Sequence, residues 1–354
     1  MHLRDEAASA ILITSRHASS RHLINHSFSD PETPMKRRTF IATAASALLA
    51  SGARAQAAYP TKAIKFVIPF TAGSSTDIMA RTIAERMTQS LGQPIVIENR
   101  PGAGGTIAAA AVARSDPDGY TVLVHSGSHA VNPAIYTNLQ YDTLRDFTNV
   151  AGLGAVPNII IAPQGRYKTL NDLVAAAKAR PNQLNFASAG IGSATHLNAE
   201  KFMLVADIDM QHVPFKGTPE AVTEIVGGRL EYYCAPINAA LGLIKDGKVT
   251  ALATSGARRS PLLPEVPTSI EAGFPDSDFS LWVGAFVPSK TPAAIAQRLH
   301  AEIIKAANTP EVRERYLKSG TEAMLISQSE FDAFLKKEIE VSARIAKRAK
   351  MQAQ

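Results

Sequence analysis

Residues 69–81 read PFTAGSSTDIMAR: one glycine, four hydroxyl side chains and one acid, directly after the apolar run Ile64–Ile68, with no lysine or arginine before Arg81. A phosphate cradle of the P-loop kind carries a lysine, and a tight turn needs fewer polar groups. What this composition can do is hold an anion with uncharged donors. The first N–H groups of a helix have no partner inside it and point outward. Together with the macrodipole they form an anion site that needs no cationic side chain. Glycine lets a ligand approach the backbone closely, and hydroxyls rotate to donate. SAGIGSATH, residues 188–196, repeats the ingredients between a strand-like segment at 184–187 and a helical one at 197–204. Either loop alone also reads as an ordinary N-cap, and Ser74-x-x-Asp77 is a capping-box variant. Two such loops facing one another would hold a small carboxylate between them.

The elements that must position these loops alternate. Ile64–Ile68 is a strand and Asp77–Leu91 a helix, with Met79, Ile83, Met87 and Leu91 on one face. Gly92 and Pro94 stop it. Strands follow at 95–97 and 120–124, with a helix at 107–114 between them and a turn at 116–119. Strands alternating with helices imply βαβ units and a parallel sheet. The downstream copy runs in the same order, with strands at 184–187 and 210–213. Gly190 stands 117 positions after Gly73, and Glu200 stands 115 after Glu85. This is a diffuse duplication, too long for a solenoid, and it implies two similar lobes. In each, a Gly turn opens the next helix: PGAGGT at 101–106, and Lys216-Gly217-Thr218. PGAGGT is read as the close approach of a helix at a sheet edge. The segment 330–350 is a helix with Phe331, Leu335, Ile339 and Ile345 towards a core.

Catalytic and metal chemistry finds little to build on. His125 and His129 are four apart at a strand exit, with no acid or cysteine beside them in sequence. They are read as cleft-lining or capping histidines, not metal ligands. There is no Gly-x-Ser-x-Gly elbow, no Gly-x-Gly-x-x-Gly after a strand and no Gly-Lys-Ser/Thr loop. Neither a metal nor a cofactor is expected. Trp282, in the apolar run 281–287, and Cys234, in the strand-like run 230–235, read as core residues. Arg258-Arg259 is a short basic pair in a loop, solvated or a docking point.

The beginning of the chain reads as an export signal. Met35 opens a basic stretch with Lys36, Arg37 and Arg38, an apolar core spans 40–50, and Ala53-Arg54-Ala55 has the small-x-small form of a cleavage site. The apolar core is too short to anchor in a bilayer, and Arg37-Arg38 also suits a twin-arginine signal, so the Sec and Tat routes are both open. Residues 1–34 are expected to be a disordered extension upstream of the true start. Cleavage after Ala55 leaves 299 of the 354 residues, with 30 basic and 27 acidic side chains, a net charge of +3. That is too balanced for a nucleic-acid or membrane-surface protein. A single cysteine allows no internal disulfide, so an exported chain of this kind relies on its core.

PFTAGSSTDIMAR, the run VIENRPGAGGTIAAAAVARSDPDGYTVL at 96–123, SAGIGSATH, HVPFKG at 212–217, LPEVPTSIEAGFP at 263–275 and the Trp282 segment, in this order, resemble the Bug-type extracytoplasmic solute receptors, the binding components of tripartite tricarboxylate transporters. The resemblance spans about 59–350. It implies an α/β, two-lobed type II periplasmic-binding-protein fold, each lobe a central mostly parallel sheet flanked by helices. Lobe one would be 56–157 and 282–354, and lobe two 158–281. It also implies a periplasmic monomer that captures a small carboxylate (a di- or tricarboxylate, acidic amino acid or aromatic acid) in the interlobe cleft, and integral-membrane transporter components as partners.

Carried onto this chain, the ligand positions are Phe70, Thr71, Ala72, Gly73, Ser74, Thr76 and Asp77, then Ser188, Gly190, Gly192, Ser193, Thr195 and His196. The strand-end loop adds Ser126, Ser128 and His129, and a weaker loop adds Ala235 and Asn238. Ser74 after Gly73, and Thr218-Pro219-Glu220 after the lobe-two Gly turn, depart from the family pattern and bear on which ligand is bound. A ligand-presenting sensor for a membrane partner fits the same residues. An enzyme on this scaffold would need Asp77 or His196 as its base.

Overall fold

The computed structural model describes residues 59–351. The expected export signal and the expected upstream extension lie outside the described residues. Nine strands form one curled sheet in the order β2-β1-β3-β9-β4-β7-β5-β6, with β8 also on β4. The first half comprises β1 (Ile64–Ile68), β2 (Ile95–Asn99) and β3 (Thr121–Ser126), with β9 (Ser280–Pro288) and the leading part of β4 (Phe147–Pro163). The second comprises β5 (Asn185–Ser188), β6 (Gln211–Pro214), β7 (Tyr232–Pro236), β8 (Val249–Thr254) and the rest of β4.

Read from the edge, the halves have one plan: β2-β1-β3-β9-β4 and β6-β5-β7-β4-β8. In each, the first three strands pair in parallel and the last two antiparallel. The duplication legible in the loops is therefore a duplication of topology. Each half is a mixed sheet, and β4, which crosses between the lobes, is an antiparallel strand of both. β4 pairs with β9 as far as Pro157 and with β7 from Asn158, so one 17-residue strand serves both lobes.

Helix α1 (Ser75–Leu91) begins two residues before the expected Asp77. Ser74, in an extended conformation, takes the N-cap and accepts from the Asp77 N–H. Gly92 ends it in the left-handed conformation. Next come α2 (Thr106–Ala113), α3 (Ser128–Ile135) and α4 (Leu170–Ala179). Lobe two continues with α5 (Ala194–Ala206, capped by Ser193), α6 (Thr218–Val226) and α7 (Ile237–Lys245). The chain ends with α8 (Ala293–Ala307), α9 (Pro310–Ser319) and α10 (Gln328–Arg348).

Met79, Ile83 and Met87, the face read from the period of α1, are fully buried. Phe331 and Leu335 of α10 sit in a core with Trp282 and Phe286, while Ile339 packs at its edge. Each side chain buried so completely contributes about 1.5–3 kcal/mol. Trp282 is a core residue whose Nε1–H donates to Glu338 at 2.9 Å, and Cys234 is fully buried. Arg258 and Arg259 pair with the exposed acids Glu322 and Glu271.

Candidate functional site

The two hydroxyl loops meet. A small void of about 10 Å³, room for roughly one water molecule, is lined by Phe70, Ser74, Ser75, Thr76 and Ser126 of lobe one and by Ala189, Ser193, Ala194, Thr195 and Thr218 of lobe two. Leu281, at the crossing, closes it. The N-termini of α1 and α5, equivalent in the two topologies, both open onto it, and no charged side chain lines it. So little space is left between them that the lobes are shut. Ser75 Oγ is buried and makes no hydrogen bond. An unpaired buried hydroxyl costs free energy until something bonds it.

The seam beside the void is built from lobe-to-lobe hydrogen bonds. Ser128 Oγ accepts from the Ala194 N–H at 2.9 Å, and Tyr136 donates to the Ile191 carbonyl at 2.9 Å. The Thr71 N–H reaches the Lys216 carbonyl at 3.4 Å, and its hydroxyl donates to Glu220 at 3.0 Å. Gly104 and Gly190 allow the backbones to approach. A Cβ on Gly104, whose φ is +58°, would stand 2.2 Å from the Ile191 carbonyl oxygen. PGAGGT thus does two things: Gly105 lets α2 start against His125 and Pro69, as expected of a close helix approach, and Gly104 presses on the other lobe.

Of the residues expected at the site, Phe70, Ser74, Thr76, Ser126, Ser193 and Thr195 line the void. Thr71 and Ser128 bridge the lobes beside it. Ser188 and Gly190 are one step back, where Ser188 Oγ accepts from the Gly190 N–H at 3.0 Å. The Gly192 N–H is taken by His196 Nδ1 at 3.2 Å. Ala72 is exposed.

Three expectations are corrected. The Asp77 carboxylate turns back into its own lobe, accepting from the Gly73 N–H, Asn99 Nδ2 and Arg81 Nε at 2.9, 2.9 and 2.8 Å. It is a brace for the loop, and the capping-box bond falls on Gly73 instead of Ser74. His129 does not line the cleft. Gly127 turns the chain into α3, and the ring packs among Tyr141, Phe147 and Phe286. Ala235 and Asn238 form no loop: β7 runs through Pro236 and α7 starts at Ile237, which leaves Ala235 in the sheet core.

Ser75, Ala189, Ala194, Thr218 and Leu281 were missed. Ser75 lies inside the hydroxyl run and Thr218 opens the helix after the second Gly turn, so both had a signal. Leu281 had none, because its place depends on the crossing.

Burial pushes the Asp77 carboxyl up, but the bonds from Arg81, Gly73 and Asn99 outweigh it and hold it below the usual carboxylate range. A depressed acid stabilises the fold above its unfolded value near pH 4, and that contribution is lost as pH falls through the folded value. Arg81 is half-exposed, so solvent screens its share. Asp77→Asn is expected to cost about 1–2 kcal/mol at pH 7, with the gap to wild type closing at pH 3. Urea unfolding at both pH values measures this. A gap unchanged at pH 3 contradicts the brace.

Two lobes of equivalent topology, joined by crossing strands and shut on a polar void, define a binding protein of the periplasmic type. The chain matches the family described as tripartite tricarboxylate transporter family receptor over residues 79–351, and it belongs to that family. Protein BugT of Bordetella pertussis is 35% identical over 304 residues, 85% of this chain and 92% of the relative. The periplasmic binding protein BugD superposes with a TM-score of 0.80 at 30% identity, covering 83% of this chain and all of that one. An R. palustris protein solved with adipate gives 0.80 at 31% identity, covering 83% of this chain and 100% of that one. MatC of Rhodopseudomonas palustris, solved with malate, gives 0.78 at 33% identity, with 81% and 99% covered.

Proposed function

We propose that the chain is an exported, monomeric receptor, not an enzyme, that closes on a small carboxylate between the N-termini of α1 and α5. It delivers that ligand to the membrane components of a tripartite tricarboxylate-type transporter. One observation carries this reading: equivalent helix N-termini from both lobes face each other across a void that no charged side chain lines, and Ser75 Oγ is unpaired within it. The lobes divide at 157/158, where β4 changes partner, and at 281/282, just inside β9. Closure is favoured only by ligand contacts that the open form lacks, so the closed form is the one a membrane partner distinguishes.

The adipate and malate in the solved neighbours make those two acids the first probes. At 100 times its dissociation constant a ligand stabilises by about 2.7 kcal/mol, which for a chain of this size raises the melting temperature by about 5 °C. A thermal-shift panel of mono-, di- and tricarboxylates with their neutral amides is expected to give shifts with acids alone. No shift with any acid would count against the receptor reading.

A further inference from the structure

Two imidazoles form the floor beneath the lobe-two loop. Strand pairing sets Phe186 beside His212 on β6 and beside Tyr232 on β7. The three rings stack, with Phe186 4.9 Å from His212 and 5.6 Å from Tyr232. His196, from the first turn of α5, lies on His212 with centroids 3.8 Å apart and planes 10° apart. Each imidazole also holds the loop. His196 Nδ1 accepts the Gly192 N–H at 3.2 Å. His212 Nε2 is 2.6 Å from Ser188 Oγ, which in turn accepts the Gly190 N–H.

A neutral imidazole has one N–H and one acceptor nitrogen, and the partner of one nitrogen decides which carries the proton. Because His196 Nδ1 accepts, its proton is on Nε2. That atom lies 3.3 Å from Glu200 Oε1, one helical turn further along α5. Burial draws both rings down to about 3, with His196 adding to the effect on His212. Both therefore stay neutral near pH 7. Burial, with the charge of Asp209 adding to it, pushes the Glu200 carboxyl up to about 7, so the relay is read at pH 8, where the ionised carboxylate can only accept.

We infer that Glu200 is a positioning residue of the ligand site. Ionised, its carboxylate stands 3.3 Å from His196 Nε2, draws the proton to that nitrogen and so favours the tautomer whose Nδ1 holds the Gly192 amide. The loop held in this way carries Ser193 and Thr195 to the void. The inference rests on the receptor reading above for its consequence, but not for its geometry. A side chain that only filled space next to α5 would affect melting and leave the tautomer alone.

Glu200→Leu removes the acceptor at similar size, so nothing holds the proton on Nε2. Glu200→Gln, whose carboxamide oxygen still accepts, is the conservative rescue. ¹⁵N spectra of the imidazoles, taken without ligand at pH 8, are expected to show Nε2–H in the wild type and in Glu200→Gln, and a large share of Nδ1–H in Glu200→Leu. The Gly192 amide is expected to exchange at least tenfold faster in Glu200→Leu, and adipate or malate to bind about tenfold more weakly.

Nδ1–H in the wild type, a measurement that needs no variant, overturns the relay. So does a Glu200→Leu protein with an unchanged tautomer and unchanged Gly192 protection. Unchanged affinity in a variant whose tautomer has flipped overturns the positioning role. If neither acid binds the wild type, the spectra still judge the relay, and the receptor reading is what fails.

Discussion

Gly104→Ala is expected to leave the protein folded but unable to shut. Gly104 already has φ +58°, where alanine costs about 1–2 kcal/mol, a tolerable loss for a chain with several buried clusters. The obstacle is between lobes: the new methyl would stand 2.2 Å from the Ile191 carbonyl oxygen, a backbone atom that cannot rotate away. Relief requires the lobes to part, which also separates Ser128 from the Ala194 N–H and Tyr136 from Ile191. Affinity depends on the free energy of reaching the closed state. A loss of roughly 100-fold, about 2.8 kcal/mol, is expected. Small-angle scattering should show the wild type contracting on adding ligand and the variant failing to do so. A variant that contracts and binds normally contradicts the seam described here.

The second large effect concerns the helix ends themselves. Ser75 and Ala194 are the first helical residues of α1 and α5, the one place where proline fits a helix because its missing N–H has no internal partner. The preceding residues, Ser74 and Ser193, have ψ of 159° and 156°, the extended conformation that proline demands before it. Ser75→Pro therefore removes one amide donor with little cost to the helix. A hydrogen bond to a charged group is worth about 1.5–3 kcal/mol, so this variant is expected to bind roughly 10- to 100-fold more weakly at a nearly unchanged melting temperature. Ser75→Ala, which keeps the amide and deletes the hydroxyl, separates the two contributions of that residue. The Ala194 N–H is already given to Ser128 Oγ at 2.9 Å, so Ala194→Pro tests the seam instead of the helix end. Wild-type affinity in Ser75→Pro would mean that the end of α1 is only a cap.

Much of this was legible before any coordinates, for physical reasons. The hydroxyl-rich loops announce themselves because an anion site without cations needs glycine, Ser and Thr at a helix start, and that composition is local. The buried face of α1 follows from its period. β4 was not legible. Gly152, Gly154 and Pro157 interrupt its apolar pattern, and its register against β9 shifts at Asn149/Ala151 and at Gly152/Gly154, so no period of two survives. The fates of Asp77 and His129 were hidden for a different reason. Each is decided by a partner distant in sequence: Asn99, 22 positions from Asp77, and Phe286, which reaches His129 only through the pairing of β3 with β9. The seam role of Gly104 likewise needs the other lobe in place.

The most direct test is an amide titration. With ¹⁵N-labelled protein and the acid that gives the largest thermal shift, the Thr76 and Thr195 N–H signals should both move downfield, along one binding curve. Both signals moving would place a single anion between α1 and α5. Movement on one lobe alone, or on neither while the acid binds, would contradict it.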